Sequence, residues 1–152
     1  MVVLTHIARG RLGALALCLV LAACGSNSSP SASQDVAQVK ATLTRAFRAL
    51  AAGDGATVCS LATPQGRKSL ATALPHSSCV RVIMVVAAHL RPPQKAALSS
   101  LQVKKATVSG RHAIVKDSDL SSARGSLKGF IRATAPPTQL TKQADGSWKI
   151  SG

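Results

Sequence analysis

The spacing of apolar residues changes once along this chain, near residue 100, and the change limits the folds open to it. Before that point apolar residues recur at three- and four-residue steps. The clearest stripe runs from Val36 to Leu50 and predicts an amphipathic helix over residues 35–50. After that point short segments alternate in steps of two, as half-buried strands do. Helices followed by antiparallel strands predict a single α+β domain over residues 35–152.

Local signals predict where the first two helices begin and end. We expect Ser33 or Asp35 to cap the first helix and Gly53 to end it in the left-handed conformation. Asp54 then precedes a short helix over residues 56–61 and is placed to cap it. Capping is therefore the role we expect for Asp54, in preference to a catalytic one.

Prolines divide the next part of the chain. Pro64 suits the first turn of a helix over residues 64–74, and Pro75 should stop that helix. Residues 80–90 form an almost unbroken apolar run whose periodicity fits a buried helix or a buried strand. We favour the helix, ended by Pro92-Pro93.

The second half of the chain predicts strands joined by tight turns. The parity of the apolar positions shifts at Lys104-Lys105, which indicates a β-bulge. Ser109-Gly110 and Asp145-Gly146 are typical of hairpin turns. The segments expected to be extended are residues 101–103, 106–108, 112–116, 127–133, 138–142 and 148–150.

The amino-terminal 23 residues have the pattern of an export signal. Arg9 and Arg11 give a positive start, and residues 12–23 follow without a charge. As a helix these twelve residues would rise about 18 Å, too short for a hydrocarbon core of about 30 Å. The segment therefore fits a cleaved signal peptide better than a permanent span.

The residues around Cys24 resemble the lipobox of bacterial lipoproteins. The run is Leu21-Ala22-Ala23-Cys24, followed by Gly25 and Ser26. The resemblance implies diacylglycerol on the Cys24 thiol, removal of residues 1–23, and a fatty-acyl anchor on the extracytoplasmic face of the cell membrane. The alternative is an ordinary secretory signal with a chance cysteine. If Cys24 is lipidated as the resemblance implies, residues 24–34 are the lipidated cysteine and a flexible polar linker.

The charge of the chain is strongly one-sided. Nineteen Lys and Arg face five Asp and no Glu, a net charge of +14. Such a surface is attracted to anionic lipid or wall polymers, although the same charge also serves solubility. Nucleic acid is not an expected partner, because the chain is exported and offers few stacking aromatics. Those aromatics are Phe47, Phe130 and Trp148.

Two cysteines remain after Cys18 leaves with the leader and Cys24 is lipidated. In an oxidising exterior, Cys59 and Cys79 are expected to form a disulfide. Closing a loop of about 20 residues stabilises a fold by roughly 3 kcal/mol in the chain-entropy description. A redox pair or a pair of metal ligands is the alternative, although the CxxC spacing is missing.

Candidate catalytic and metal-binding residues are few and scattered. His76, His89 and His112 fall in three predicted elements without HxH or HExxH spacing. Asp117-Ser118-Asp119 lacks the Gly and Glu of a calcium loop and predicts a polar turn. Residues 125–129 lack the spacing of a phosphate loop. We expect no catalytic residue, metal or cofactor, the alternative being an Asp buried beside His89 or His112.

Two further runs carry a resemblance. Ala52-Gly53-Asp54-Gly55 after the first helix, and Asp145-Gly146-Ser147-Trp148-Lys149-Ile150 near the end, make residues 36–150 similar to the nuclear-transport-factor-two-like fold, common in actinobacterial lipoproteins. The resemblance implies a curved antiparallel sheet wrapped around N-terminal helices as a cone. Enzymes of that fold place acids, His, Tyr or Trp inside the cone, and this chain has almost none to place.

Three functions follow from these patterns. The first is a membrane-anchored, non-catalytic lipoprotein that binds an envelope protein or a small apolar ligand. The second is a small cone-fold enzyme of the isomerase or cyclase kind, with Asp54, His76, His89 or His112 in an enclosed pocket. The third is a basic adaptor held on anionic lipid or wall polymers.

Overall fold

The computed structural model describes residues 31–72, 74, 76–124 and 137–152. In these residues α-helices come first and short antiparallel strands follow, so the prediction of an α+β domain is confirmed. The helices are α1 (Ala32–Ala52), α2 (Gly55–Ser60), α3 (Pro64–Ala71), α4 (Cys79–His89) and α5 (Pro92–Ser99). The strands are β1 (Leu101–Val103), β2 (Thr107–Ser109), β3 (His112–Val115), β4 (Leu120–Ser122), β5 (Thr138–Lys142) and β6 (Trp148–Ile150).

Helix α1 contains the predicted apolar stripe and extends beyond it at both ends. Val39 and Leu43 on the stripe are buried. The helix starts after Ser31, so Ser33 and Asp35 lie inside its first turn and the prediction that one of them caps it is wrong. Gly53 ends α1 at φ 74°, as predicted, and its N–H bonds back to the last turn.

The caps of α2 and α3 are local and follow the sequence. The Asp54 carboxylate accepts a hydrogen bond from the Thr57 N–H at 2.9 Å, which confirms the predicted cap. Pro64 occupies the first turn of α3, and the Thr63 hydroxyl accepts from the Gly66 N–H at 3.0 Å. Helix α3 ends at Ala71 rather than at residue 74.

The apolar run at residues 80–90 is helical, as we favoured, and forms α4. The two prolines after it do more than end it. They occupy the first turn of α5, a helix the sequence analysis did not predict. Proline lacks a backbone N–H that a first turn leaves unbonded anyway, so the same residues stop one helix and start another.

The strands form two sheets. One has the order β2-β3-β5-β6 and the other pairs β1 with β4, with every strand pair antiparallel. The predicted bulge at Lys104-Lys105 is wrong, because the chain there passes from one sheet to the other. The shift in parity marks that passage. The predicted strand at residues 127–133 lies outside the described residues.

The core lies between α1 and the larger sheet. Ala113 on β3 and Leu140 on β5 are direct partners in the ladder, and both are buried. Ile114, the next residue on β3, points the other way and is 42% exposed. Alternation with period two therefore gives the sheet one core face. The buried cluster also includes Leu90, Leu98, Leu101, Val103, Val115 and Trp148.

The outer side of β6 is covered by the connection between α2 and α3. The Thr63 N–H donates to the Ile150 carbonyl and the Ile150 N–H donates to the Leu61 carbonyl, each at 2.8 Å. A Cβ at Gly66 would lie 2.6 Å from the same Ile150 carbonyl oxygen, so only glycine permits this approach. The first helices are thus attached directly to the final strand.

Candidate functional site

A pocket of about 230 Å³ lies between α1, the helices after it and the ends of β5 and β6. Helix α1 supplies one wall, because Leu43, Phe47 and Leu50 fall on the same face at four- and three-residue steps. The opposite wall and the floor come from α2, α3, α4 and the sheet. Those residues are Val58, Leu70, Ile83, Thr138, Ile150 and Gly152, with Ala46 completing the α1 side.

The predicted disulfide is present and lies next to this pocket, on the side formed by α2 and α4. Cys59 on α2 and Cys79 on α4 are bonded, with their Cα atoms 6.1 Å apart. Both are buried in a second apolar cluster that contains Val58 and Ile83, which also line the pocket. The disulfide therefore fixes the spacing of the two helices that provide the far wall.

None of the described residues that line the pocket has a titratable side chain. The Thr138 hydroxyl is the one polar side-chain group there, and the remaining polar groups belong to the backbone. A lining of this kind favours apolar groups through area removed from water, and it offers few hydrogen bonds. The described part of the lining offers no side chain for proton transfer or for metal binding.

The four residues that the enzyme hypothesis needs are elsewhere. Asp54, His76, His89 and His112 are all exposed and belong to separate parts of the fold. Asp54 is engaged in its cap, and the hydrogen bond from Thr57 holds the pKa of its carboxyl below the ordinary value. The His89 Nδ1 donates to the Val85 carbonyl at 2.8 Å.

No group of three or more potential metal ligands is assembled within the described ranges. Asp117–Asp119 forms a single 3-10 turn, in agreement with the predicted polar turn.

Cys24 and residues 125–129 lie outside the described residues. None of the helices that the structure describes is long and apolar enough to cross a bilayer.

A larger groove of about 630 Å³ runs between the first half of α1 and the turn before β6. Its walls include Gln34, Gln38 and Ser147, which makes it more polar than the pocket behind α1. The Asp145 carboxylate at its edge accepts from the Ser147 hydroxyl and N–H, which lowers the pKa of Asp145. Because its polar groups are partly engaged in the turn itself, we regard the apolar pocket as the better candidate.

One buried polar cluster was missed at the sequence level. The Lys142 Nζ and the Trp148 Nε1 both donate to Asp35 Oδ1, at 2.6 and 3.1 Å. Asp35 is only 7% exposed. The hydrogen bond from Lys142, then that from Trp148, lowers the pKa of Asp35 below its ordinary value of 3.8. The cluster fastens the first turn of α1 to the last two strands.

A signal for this cluster was present in the sequence. Asp35 lies four residues before Val39 and eight before Leu43, so it shares the buried face of α1. A carboxylate on a buried face must find a partner, because an unpaired buried charge is costly. That argument predicts a partner for Asp35 but does not say which cation provides it.

No family model, curated protein or solved structure matches this chain. The function is therefore argued from its own residues and their geometry.

Proposed function

We propose that this protein is an extracytoplasmic lipoprotein, anchored through a lipid on Cys24, that binds a small apolar ligand without transforming it. The observation that carries the binding role is the pocket between α1 and the sheet, whose described lining has apolar side chains apart from the Thr138 hydroxyl. The anchor rests on the run Leu21-Ala22-Ala23-Cys24 and on the uncharged stretch before it.

The proposal includes a cone-like domain of the nuclear-transport-factor-two-like kind. In its support, α1 lies across one face of an antiparallel sheet, and the pocket opens between the helix and the strand ends. The polar run Asp145-Gly146-Ser147 forms a turn between β5 and β6, as the resemblance requires.

The ligand class follows from size and lining. A pocket of about 230 Å³ is smaller than the usual range of about 300–1,000 Å³ for drug-sized molecules. It suits a short acyl chain or an apolar side chain, with one polar end near Thr138. The isomerase- or cyclase-like alternative needs a titratable group in the pocket, and no side chain in the described part of the lining provides one.

The anchor is tested by the intact mass of the protein taken from a membrane fraction. We expect a chain that begins at Cys24 and carries diacylglycerol, and we expect the Cys24→Ser variant to keep residues 1–23. An unmodified chain with Met1 intact, recovered from the non-membrane fraction, would contradict the anchor.

The binding role is tested by calorimetric titration with hexanoate and octanoate. Ala46 is buried in the pocket wall, so Ala46→Leu fills the space and should lower the affinity at least about tenfold, or roughly 1.4 kcal/mol. The matched control is Ala37→Leu, at an exposed position of the same helix, which should bind as the parent does.

A second variant covers the case in which Ala46→Leu does not fold. Ile83→Ala enlarges the pocket from the α4 side and should move the preference towards octanoate. If neither fatty acid binds the parent protein, or if all three variants bind equally, the pocket is not the ligand site.

A further inference from the structure

The outer side of α4 is apolar and uncovered. Val80, Met84 and Ala88 follow one another at four-residue steps, so they share the side of the helix that faces away from the core. Val80 is 38% and Met84 is 56% exposed, and Ala88 is exposed as well. An amphipathic surface helix normally places polar residues on this side.

Two shallow grooves extend this apolar side. One, of about 300 Å³, is lined by Val80, Met84 and Val85 together with Arg81. The other, of about 320 Å³, has Val85, Val86 and Leu90 in its wall. Only Arg81 and His89 interrupt the apolar residues of α4 with an ionisable group. A helix that is apolar on every side is usually covered, and α4 has core contacts on one side only.

The charged residues around α4 are mostly basic. One exposed acid, Asp54, lies beside its first turn, because a Cβ on the adjacent Gly55 would be 2.7 Å from the Val80 carbonyl oxygen. Residues 64–99 carry five Lys or Arg and no acid. Four of the five are exposed, whereas Arg67 donates to the Ala62 carbonyl at 3.2 Å. In the part of the chain that the structure describes, the one ion pair joins Asp35 to Lys142, so none of these basic residues forms an ion pair with an acid. The exposed basic residues are Lys68, Arg81, Arg91 and Lys95.

The positive charge near α4 favours an anionic bilayer over a second copy of the chain as the partner of this surface. A second copy of the chain would bring a second set of basic residues against the first, and like charges in contact are unfavourable. An anionic bilayer supplies both chemistries that the surface displays, since acyl chains accept Val80 and Met84 and phosphates accept Arg81 and Arg91.

We infer that α4 docks on the surface of an anionic bilayer, with Val80, Met84 and Ala88 in the interfacial region and Arg81, Arg91 and Lys95 at the headgroup phosphates. The inference rests on the lipid anchor of the proposed function. The seven residues between Cys24 and α1, residues 25–31, can span at most about 25 Å, so an anchored domain stays close to the bilayer.

Docking of α4 sets the orientation of the pocket. Ile83, on the inner side of the same helix, lines the pocket, while Met84 faces outward. The wall of the pocket is therefore one helix thick on the side that meets the bilayer. An apolar ligand drawn from the membrane has a short distance to travel.

The test places an environment-sensitive fluorophore at Met84→Cys in the mature, lipidated protein, with the Cys59–Cys79 disulfide kept oxidised. The protein is reconstituted into phosphatidylglycerol-containing vesicles and into phosphatidylcholine vesicles. We expect emission at shorter wavelength, with quenching by lipid-borne quenchers, on the anionic vesicles only. Added salt should reverse the shift, since exposed charges are screened beyond about 10 Å at 0.1 M.

Two matched controls accompany it. Ile114→Cys carries the label at a similarly exposed apolar residue of the sheet, and its emission should not change. With the label at Ala88→Cys, Met84→Glu should abolish the shift, whereas Ala37→Glu, with the same added charge on another exposed helix position, should keep it. Circular dichroism of each variant reports whether it is folded.

Three results would overturn the inference. A label at Met84 that stays in water on both vesicle types removes the bilayer as occupant. Equal shifts on both vesicle types remove the role of the basic residues. A photo-crosslinker at Met84 that captures a protein in cells, and no lipid, assigns the surface to a protein partner. The mass of the same preparation reports the anchor separately, so failure of the anchor is not mistaken for failure of docking.

Discussion

The two ends of the helical layer are attached to the rest of the fold by different kinds of interaction. The first turn of α1 is held to the sheet by directional bonds from Lys142 and Trp148 to Asp35. The α2 and α4 helices are held to each other by a disulfide and by apolar contacts, and apolar contacts have no preferred direction. We call these regions the polar junction and the disulfide layer.

The two regions differ in what they determine. The polar junction fixes the position of α1 along the sheet, and the disulfide layer leaves room for a pocket. In the polar junction each donor reaches one oxygen, so α1 has one position along the sheet. In the disulfide layer the cysteines fix how far apart α2 and α4 lie, but the side chains between them leave room, and the pocket lies there. A region that fixes position and a region that leaves space are both needed for a binding domain.

Removing the aromatic ring of the polar junction should have the largest effect. Trp148 is 3% exposed, so Trp148→Ala leaves a cavity and should lower the free energy of unfolding by about 3–5 kcal/mol. Trp148→Phe keeps most of the apolar volume while it removes the N–H, and should cost less. Urea unfolding measures both. Equal losses in the two variants would mean that the ring volume has no part in the junction.

Breaking the disulfide layer should have the next largest effect. Cys59→Ala together with Cys79→Ala should lower the free energy of unfolding by about 3 kcal/mol, and should weaken fatty-acid binding because the far wall is no longer fixed. The polar junction should survive, so the fluorescence of Trp148 should stay that of a buried indole before unfolding. Unchanged binding in the double variant would show that the pocket does not depend on the cross-link.

The smallest effect is the part of the pH dependence of stability that comes from the polar junction. Because the pKa of Asp35 is lowered on folding, the unfolded chain takes up a proton first as the pH falls. The stabilisation from Asp35 is therefore complete above about pH 4 and is lost below it. Asp35→Asn should be less stable at neutral pH and should lose less on acidification.

Asp54 provides the control for that measurement. Its pKa is also lowered, but by a local cap, so Asp54→Asn should keep most of the acid dependence that comes from the junction. Thermal unfolding between pH 3 and pH 7 compares the three proteins. If Asp35→Asn follows the parent over the whole range, the junction does not govern the acid response.

The features that were predicted correctly from sequence are those that depend on residues close to one another in the chain. The α1 stripe, the Asp54 cap, Pro64 in a first turn and the left-handed Gly53 each depend on residues within one or two helical turns. The disulfide was predicted because the remaining cysteines allowed one pairing.

The features that were missed depend on distant partners. Asp35 finds Lys142 and Trp148 more than a hundred positions away, and nothing near Asp35 identifies them. Lys104-Lys105 looked like a bulge because the pairing of β1 with β4 is not visible locally. The pocket was not predicted either, since its lining comes from α1 to α4 and the ends of two strands. The apolar character of residues 80–90 was plain, but which side of α4 would be left uncovered was not.

The attachment of residues 61–63 to Ile150 has a consequence for how this chain assembles. When the chain is made from its amino terminus, α1 to α5 are present before β6, the strand to which the α2–α3 connection is hydrogen-bonded. Contacts between residues far apart in a sequence are slow to form, so we expect this attachment to form late in folding. The hydrogen bonds between residues 61–63 and Ile150 therefore close the fold only once β6 has been made.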